Sequence, residues 1–424
     1  MNWITAFVVF FIFFLIHHIS INTKISISNS SSPASTTLTM STQKHQGVTS
    51  QPIYLKIIQK QPKPNQFIIN CDTSHNRYDL CTLNSTTTLD PTNSTFYVWD
   101  PQTSSPTILH KIRPYPRKWE NFTMARIKEL TIVTTPTKPH CQIQHQAPAL
   151  VFSAGGYTGN LFHDFNDGFI PLFITTRSAF PDGVFPVLVV SKQFSPYPII
   201  SLENDSRTHC FPSTTTIGLI SHGYMTINPT LLPNSDSFLD FRALLGSAYD
   251  TKTSQQASST ASIRPRLVLA SRKGGSRVIL NQAEVVLLAK EVGFEVSLFE
   301  PNEHTSLKQA YRLINSSHVM VGSILIQVVP VGIDWLAETC FGKSARDMGL
   351  EYMEYKISAN ESSLMEKYGK DHLVLRDPKA VMKDNWSNTK DIYLNDQSVR
   401  VDLVRFRRYL ESAYNKAKGF MDEL

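Results

Sequence analysis

Residues 266–300 (RLVLASRKGGSRVILNQAEVVLLAKEVGFEVSLFE) carry apolar positions whose spacing changes from strand-like to helix-like and back. Residues 267–270 predict a short buried strand, and residues 279–292 predict an amphipathic helix. Gly293 ends this helix, because glycine readily takes the left-handed conformation of a helix terminus, and residues 294–299 alternate as a second strand. Together these elements predict a right-handed βαβ unit of a Rossmann-like parallel sheet. The residues expected on the core-facing side of the helix are Leu280, Ala283, Val286 and Leu287.

The segment after this unit poses a problem of connectivity. Residues 305–314 predict another helix, and residues 318–321 and 324–329 (HVMV and ILIQVV) predict two buried strands. Parallel neighbours in a sheet need a crossover of about a dozen residues or more, but Gly322 and Ser323 alone separate these strands. The chain must therefore fuse the strands, pair them antiparallel, or leave one out of the sheet.

The N-terminal half repeats the alternation of strand and helix less regularly. Residues 149–153 predict a strand, Gly155 and Gly156 a turn, residues 160–175 a helix, and residues 185–190 a second strand. This half is therefore also predicted to be of the α/β class.

Two α/β domains that face each other across a cleft are the simplest architecture for the whole chain. A Ser- and Thr-rich stretch at residues 253–262 (TSQQASSTAS) marks the join. We therefore predict an N-terminal α/β domain at residues 67–260 and a C-terminal α/β domain at residues 261–424.

The N-terminus predicts attachment to a membrane. Residues 4–16 (ITAFVVFFIFFLI) are apolar apart from Thr5, and the apolar stretch extends to residue 21. Such a segment is a short spanning helix or the core of a signal peptide. No small-x-small cleavage site follows cleanly, which favours a retained signal anchor over a cleaved peptide. Residues 22–66, rich in Ser, Thr, Gln and Pro, predict a disordered stem.

Two further features favour a location in the secretory lumen. The chain has five cysteines, and an oxidising lumen permits two disulfides and one free thiol. We expect Cys71 to pair with Cys81 and Cys141 with Cys210; the alternative is five buried reduced thiols. Sequons for N-glycosylation begin at Asn29, Asn84, Asn93, Asn121, Asn204, Asn315, Asn360 and Asn385.

Composition constrains the function only weakly. With 41% hydrophobic residues the chain is an ordinary globular protein. The balance of 41 Lys and Arg against 35 Asp and Glu gives a net charge of +6. This mild excess suits an anionic small ligand such as a sugar nucleotide as well as it suits nucleic acid, so charge alone excludes neither.

The sequence RKGGSR follows the strand at residues 267–270. Rossmann-like sheets bind ligands there, beyond the carboxyl ends of the strands, where loops lead into helix N-termini. Glycines allow close approach of the backbone, while free N–H groups, the helix dipole and cationic side chains attract an anion. A diphosphate fits this place without a metal ion; the alternative is a solvated basic turn. The residues of this candidate donor site are Arg272, Lys273, Gly274, Gly275, Ser276 and Arg277.

A second candidate site lies in residues 155–173 (GGYTGNLFHDFNDGFIPLF). His163, Asp164, Asn166 and Asp167 lie among large apolar residues, so they must find polar partners or face a cleft. A histidine or carboxylate here could accept a proton from a hydroxyl nucleophile. Two carboxylates alone are a weak metal signal, and no metal site is predicted. The alternatives are a purely structural hydrogen-bond network and a hydrolase that uses Asp164 and Asp167 as paired carboxylates.

A third group, Asp334, Trp335 and Glu338, follows the strand predicted at residues 324–329. An acid there could hold a ribose diol, and an aromatic ring could cover a base. The same residues could instead cap and pack a helix.

The stretches GGYTGNLFHDFNDGFIPLF, RPRLVLASRKGGSRVILN and QVVPVGIDWLAETCFG resemble plant members of glycosyltransferase family 61 in order and spacing, over roughly residues 67–420. The resemblance implies a type II Golgi membrane protein with a GT-B-like pair of Rossmann-like domains. Such a protein transfers a pentose or an N-acetylhexosamine from a UDP-sugar, with inversion and without a metal or other cofactor. The implied acceptors are xylan or an N-glycan, with the xylan-decorating branch more similar, and no nucleic-acid partner is implied.

The resemblance also assigns roles to residues of this chain. It places Arg272 and Arg277 on the diphosphate of UDP, and Glu338 on the donor side of the cleft. The residues that it places on the acceptor side are His163, Asp164 and Asp167.

The chain departs from the family between Gly322 and Ser323. Family members carry a segment there that contains a His-Gly-Ala-Ala loop and the helix leading to the next strand, and this chain lacks it. We therefore expect a C-terminal domain truncated at residues 322/323. The alternative function is that of a catalytically inactive splice or gene-model variant, which acts at most as a Golgi-resident binding or scaffold protein.

Overall fold

The computed structural model of the protein describes residues 68–157, 161–181, 187–188, 200–203, 205–249, 264–272, 277–300, 309–311, 313, 324–383 and 385–422. All of these belong to one unit of the fold. The predicted anchor and stem lie outside the described residues, as do Lys273, Gly274, Gly275 and Ser276. No helix in the described ranges has the length and apolarity needed to cross a membrane.

The N-terminal half is built around two mixed β-sheets. The five-stranded sheet has the order β1-β2-β11-β8-β9, and the six-stranded sheet has the order β5-β6-β4-β3-β10-β7. The strands of the two sheets are β1 (Ile69–Asp72), β2 (Leu80–Leu83), β3 (Thr87–Asp90), β4 (Thr95–Trp99), β5 (Thr107–Ile112), β6 (Leu130–Thr135), β7 (Ile143–Gln144), β8 (Ala149–Val151), β9 (Val187–Leu188), β10 (His209–Phe211) and β11 (Thr215–Ile217).

The helices of this half follow or connect the sheets. They are α1 (Asn121–Met124), α2 (Leu161–His163), a π-helical segment (Asp164–Phe169), α3 (Ile170–Ala179), a 3₁₀ turn (Pro229–Leu231) and α4 (Phe238–Tyr249).

The C-terminal half alternates strands and helices. Its strands are β12 (Arg266–Ala270), β13 (Glu295–Phe299), β14 (Ile324–Val329) and β15 (Glu351–Lys356). Its helices are α5 (Gln282–Val292), α6 (Asp334–Ala337), a π-helical segment (Glu338–Gly342), α7 (Lys343–Asp347), a 3₁₀ turn (Ala359–Glu361), α8 (Leu364–Tyr368), α9 (Leu373–Arg376), α10 (Pro378–Met382), α11 (Trp386–Asn388), a π-helical segment (Thr389–Asn395) and α12 (Leu403–Asp422).

The βαβ unit predicted at the start of the C-terminal half is confirmed. β12 pairs with β13 in parallel, α5 connects them, and Gly293 ends α5 with a left-handed φ of 119°. The predicted core-facing side of the helix is wrong. Leu280 precedes the helix and is 46% exposed, and Leu287 is 60% exposed. The helix begins at Gln282 and buries a stripe at the usual i, i+3, i+4 spacing, formed by Val285, Leu288 and Ala289.

The predicted strand–helix–strand unit of the N-terminal half is also present. β8 and β9 pair in parallel, and the helix through residues 161–179 lies between them in the chain. The remaining strands form both parallel and antiparallel pairs, so this half is a mixed α/β arrangement rather than a second fully parallel sheet.

An apolar cavity of about 150 Å³ separates β12 from β14. In the described part of the chain β12 pairs only with β13 and β14 only with β15, each in parallel. Residues from β12 and β14 line the cavity together with residues from α5 and α12. Residues 309–311 and 313 of the predicted helix at 305–314 are helical. The strand predicted at 318–321 lies outside the described residues.

The two predicted domains share one hydrophobic core. A single cluster contains Phe165, Phe173 and Phe241 from the N-terminal half and Leu325 and Met348 from the C-terminal half. A buried hydrogen bond from Ser344 Oγ to the carbonyl of Met225 (2.8 Å) adds a polar link. The helix between β8 and β9 therefore packs against residues of both halves of the chain. The boundary at 260/261 stays a prediction.

Both predicted disulfides are present. Cys71 bonds to Cys81 across the β1–β2 pair, and Cys141 bonds to Cys210 in β10. Cys340 is a buried free thiol. The alternative of five reduced cysteines is therefore wrong for this structure.

Candidate active site

The helix between β8 and β9 places His163 and Asp167 side by side. The π-helical segment Asp164–Phe169 interrupts it between α2 and α3. Segments of this kind are rare and often mark functional sites, because the wider turn shifts the side chains that follow. His163 Nδ1 lies 2.7 Å from Asp167 Oδ2. The predicted cluster of polar residues therefore does come together.

The carboxylate of Asp167 is the centre of a buried network. Its Oδ2 atom accepts hydrogen bonds from Arg117 Nε (2.7 Å) and from the Tyr115 hydroxyl (3.2 Å), besides the bond to His163. Its Oδ1 atom accepts from Asn166 Nδ2 (2.6 Å). The Asp167 side chain is only 2% exposed. The carboxylate of Asp167 is thus buried and surrounded by four hydrogen-bond partners, which suits a positioning role.

The network keeps Asp167 ionised. Burial acts to raise the pKa of Asp167, but the hydrogen bond from His163 and the charge of Arg117 outweigh burial and hold that pKa below its usual value. The pKa of Tyr115 is raised by burial and by the charge of Asp167, so its hydroxyl stays protonated and donates. The site therefore contains a permanent buried anion with matched donors.

His163 is the least buried of the side chains that contact Asp167. Its side chain is 13% exposed, and its Nδ1 faces the carboxylate of Asp167. Arg117 Nη2 lies 3.0 Å from the same nitrogen, and the ring of Tyr157 stacks on the imidazole with centroids 4.3 Å apart. If Nδ1 carries the proton, it donates to Asp167 and leaves Nε2 as the proton acceptor of the neutral ring; if Nδ1 accepts from Arg117, Nε2 carries the proton. A general base needs the first of these tautomers. The arrangement suits an oriented general base.

The turn at Gly156 brings Tyr115 against this helix. Gly156 has a φ of 66°, and a Cβ at this position would lie 2.7 Å from the Tyr115 ring. The Tyr157 N–H donates to the Tyr115 hydroxyl (3.3 Å). Only glycine combines this backbone conformation with so close a neighbour. The glycine turn predicted from sequence thus supports the site.

Sequence reasoning missed Arg117, Glu120 and Tyr115. Arg117 forms an ion pair with Glu120 in addition to Asp167, and its side chain is 6% exposed. All three lie in the loop RPYPRKWE at residues 113–120, between β5 and α1. A cluster of charged and aromatic residues between prolines is the signal that could have identified this loop.

The remaining predicted site residues include Asp164, Asp334 and Glu338. Asp164 is partly exposed on the π-helical segment. Glu338 is half-exposed and forms an ion pair with Arg346. Asp334 lies 3.3 Å from Lys356 Nζ. The role of Glu338 on the donor side therefore stays a prediction.

The second π-helical segment, Glu338–Gly342, lies beside the network through Cys340. Burial raises the pKa of the Cys340 thiol to about 12, and the charge of Arg117 opposes that rise. Phe162, next to His163, packs against the cluster that contains Cys340 and Ile333. Residues of the C-terminal half therefore pack against the residue that precedes His163.

Arg272 and Arg277 line the mouth of the cavity between β12 and β14. Burial lowers the pKa of both guanidinium groups, and the charge of Arg277 lowers that of Arg272 further. Among the described residues nothing accepts a hydrogen bond from Arg272 Nε, which is buried. Two neighbouring cations, with the buried Nε of Arg272 lacking an acceptor among the described residues, are typical of a place where an anion binds.

The backbone of Arg277 is unusual. Its φ of 56° lies in the left-handed region, which residues other than glycine rarely adopt. Its N–H donates to the carbonyl of Gln397 (2.7 Å). Strained backbone of this kind persists where surrounding structure enforces it, often at binding sites.

No group of three His, Cys, Asp or Glu side chains in the described ranges is placed to hold a metal ion.

The chain is similar to several plant enzymes. It is 39% identical over 395 residues to xylan glycosyltransferase MUCI21 of Arabidopsis thaliana, with 82% of this chain and 80% of the relative covered. It is 34% identical over 401 residues to beta-1,2-xylosyltransferase XYXT1 of Oryza sativa subsp. japonica, covering 83% and 84%. It is 33% identical over 374 residues to alpha-1,3-arabinosyltransferase XAT3 of the same plant, covering 81% and 64%. No protein-family model matches the chain.

The mixed α/β fold and this degree of similarity to plant glycosyltransferases identify the chain as a glycosyltransferase. Within that class the chain belongs to plant glycosyltransferase family 61, because the similarity extends over about four fifths of its length and of two relatives.

Proposed function

We propose that this protein is an inverting glycosyltransferase that transfers a pentose, arabinose or xylose, from a UDP-sugar to xylan. The names of the similar plant enzymes support xylan as the acceptor and a pentose as the donor sugar. The observation that carries the proposal is the Asp167–His163 pair, which holds an imidazole ready to take a proton from a sugar hydroxyl.

The donor side is assigned to the end of β12. The diphosphate of UDP would lie against Arg272 and Arg277. An anion there offsets the mutual repulsion of the two guanidinium groups, whose pKa values are lowered. In this proposal the arginines balance the phosphate charge, and no metal ion is required. Glu338 stays a candidate donor contact with weaker support, since it pairs with Arg346.

His163 is proposed as the general base. Among the three candidates, Asp167 is enclosed by donors and positions the imidazole of His163, so we propose the imidazole as the base and leave Asp164 to be tested against it. In an inverting transfer the acceptor hydroxyl attacks the anomeric carbon and loses its proton to His163 Nε2. The bond between that carbon and the UDP oxygen breaks as the new one forms.

The proposed location is the Golgi membrane, in type II orientation with residues 4–21 as the anchor. The apolar N-terminus of the sequence supports the anchor. The two disulfides of the structure support an oxidising lumen.

The donor site is tested with UDP and two variants. Ligand at 100 times its Kd stabilises a folded protein by about 2.7 kcal/mol, so UDP should raise the melting temperature measurably. Arg272→Gln and Arg277→Asn should abolish that rise, and asparagine tolerates the left-handed backbone of Arg277. Arg207→Gln, which removes an exposed arginine elsewhere, is the matched control. Stabilisation by UDP that survives in both variants would show that the diphosphate binds elsewhere.

Transfer is tested separately. The full-length protein is incubated with UDP-xylose or UDP-arabinose and xylo-oligosaccharides, and products are identified by mass spectrometry. Pentose transfer is expected, with inverted anomeric configuration by NMR. Activity with neither donor, in a protein that binds UDP, would contradict the proposed reaction.

The second candidate function is that of an inactive binding protein. In the described part of the chain β12 and β14 do not pair with each other, and both line an apolar cavity. This favours the second function, because the proposed donor site lies at that cavity. A version with the family's segment restored between Gly322 and Ser323 separates the two. If only the restored version binds UDP and transfers sugar, the chain as it stands is inactive.

A further inference from the structure

Aromatic rings and guanidinium groups alternate along a continuous band beside His163. Arg77 lies over the rings of Trp119 (5.0 Å) and Tyr224 (4.6 Å), and Arg117 lies over Trp119 (5.6 Å). Trp119 and Tyr224 contact each other edge to face, with centroids 6.3 Å apart. One end of the band is therefore a cation held between two rings.

The other end of the band passes His163 and reaches solvent. Arg117 also lies over Tyr157 (5.1 Å), the ring that stacks on His163. Arg126 lies over Tyr157 (5.7 Å) and over Phe122 (4.7 Å). The band thus runs from Tyr224 to Phe122, and the proposed base lies at its middle. We call the residues Arg77, Trp119, Phe122, Arg126, Tyr157 and Tyr224 the aromatic band.

The outer rings of the band are exposed. Phe122 is 75% exposed and Trp119 is 42% exposed. Large rings in water are unfavourable, and exposed apolar surface of this kind commonly marks a binding site. Arg77 and Arg126 hold the rings through cation–π contacts, so a ligand meets a surface that is already ordered and loses less entropy on binding.

The band carries uncompensated positive charge. Among the described residues no carboxylate lies within ion-pair distance of Arg77 or Arg126, whereas Arg117 is paired with Asp167 and Glu120. A guanidinium group binds a carboxylate through paired hydrogen bonds. A ligand with apolar ring faces and occasional carboxylates complements such a surface.

We propose that the aromatic band is the acceptor subsite and that it selects xylan carrying uronic acid groups. The C–H face of a pyranose ring is apolar and packs on Phe122 and Trp119, while its hydroxyl groups stay in water. A uronic acid carboxylate on the chain pairs with Arg126 or Arg77. The inference rests on the proposed function, because it treats His163 as the base that the acceptor hydroxyl must reach.

Binding without donor tests this subsite. The full-length protein, treated to remove N-glycans because a sequon begins at Asn121, is titrated with xylo-oligosaccharides that carry or lack a glucuronic acid. The substituted oligosaccharide should bind more tightly, and added salt should reduce the difference. Phe122→Ala and Trp119→Ala should weaken binding of both ligands at least tenfold, whereas Arg126→Gln should remove mainly the preference for the acidic one.

Trp386→Ala is the matched control, since Trp386 is 50% exposed and lies outside the band. It should bind both ligands like the unmodified protein. Phe122→Ala keeps the test valid if Trp119→Ala fails to fold, because Phe122 contributes little to the core. Unchanged affinity in Phe122→Ala, or equal affinity for acidic and neutral ligands, overturns the proposal.

Stabilisation by UDP distinguishes this inference from the proposed function. Phe122→Ala should keep the full UDP-dependent shift in melting temperature. If that shift disappears, the band belongs to the donor site and the acceptor assignment is wrong. If UDP stabilises the protein but no oligosaccharide binds, this inference alone fails. If the band binds xylan in a protein that neither binds UDP nor transfers sugar, the proposed function fails, and the band is a xylan-binding surface but not an acceptor subsite.

Discussion

Arg117 and Asp167, fifty positions apart in the sequence, form the most buried ion pair of the described residues, with side chains 6% and 2% exposed and Nε 2.7 Å from Oδ2. The pair joins the loop after β5 to the helix between β8 and β9. The ion pair therefore connects the six-stranded sheet, which contains β5, to the helix that carries the proposed catalytic histidine.

Removing one partner of this pair should strongly destabilise the protein. Arg117→Met leaves the Asp167 charge buried without its cation, and such losses cost about 3–5 kcal/mol. Urea unfolding followed by fluorescence measures the change. The double variant Arg117→Met/Asp167→Leu should recover part of the loss, because it removes both charges. A single variant as stable as the unmodified protein would contradict the importance of the pair.

His163→Gln should reduce the rate of transfer without loss of donor binding. A general base contributes about 10²- to 10⁴-fold to a reaction rate, so kcat should fall by that order while the shift in melting temperature caused by UDP stays the same. Asp167→Asn should also lower kcat, because its amide no longer fixes the imidazole as a carboxylate does. If Asp164→Asn abolishes transfer and His163→Gln does not, Asp164 is the base.

Stability should decrease in mild acid because of a buried histidine pair. His145 Nε2 lies 2.9 Å from His209 Nδ1, and burial lowers the pKa of both; the charge of Asp205 only partly opposes this at His209. The unfolded chain, with a histidine pKa near about 6.5, then binds protons before the folded chain does. The stabilisation that depends on both histidines being neutral is present in full above a pH of about 6.5. It is lost as the pH falls through the lowered pKa values of the two histidines in the folded protein.

The measurement is the free energy of unfolding in urea at several pH values. Between about pH 7.5 and pH 5.5 the decrease should be smaller in His145→Gln than in the unmodified protein. His110→Gln, at an exposed position in β5, should leave the pH dependence unchanged. Equal slopes in all three proteins would rule out the histidine pair as the source.

Filling the cavity between β12 and β14 should stabilise the protein. Ala289 is 1% exposed and lines the cavity. Cavity volume costs roughly 24 cal/mol per Å³, and a cavity-filling change commonly adds about 0.5–2 kcal/mol. Ala289→Met, which keeps a good helix former, should raise the free energy of unfolding by that amount. Leu287→Met on the exposed face of α5 should change it little. Destabilisation by Ala289→Met would show that the space is already filled.

The C-terminal βαβ unit could be predicted from sequence because its signals are local. β12, α5 and β13 follow one another with short connections, and each has the hydrophobic period of its element. The face of α5 was predicted wrongly because helical spacing alone allows two stripes. Which stripe is buried depends on where the core lies relative to the helix, and the local sequence does not give that position. In the structure the buried stripe contains Val285 and Leu288.

The sheets of the N-terminal half could not be predicted, because their pairing is long-range. Leu83 in β2 pairs with Thr215 in β11, and strands of three or four residues carry too little periodicity to reveal such a partner. The same reason applies to the site. His163 and Asp167 stood out as polar residues in an apolar segment, whereas Arg117 reaches them from a distant loop.

Because the segment Asp164–Phe169 is π-helical, the orientation of His163 depends on the number of residues in this segment as well as on their identity. Loss of any one of its six residues would restore regular winding and turn the preceding side chains by about 100° relative to those that follow. The His163 side chain would then point in a different direction relative to α3, which the core holds in place, even though the histidine itself was retained. Insertions and deletions between residues 163 and 170 should therefore be as damaging as substitution of the histidine itself.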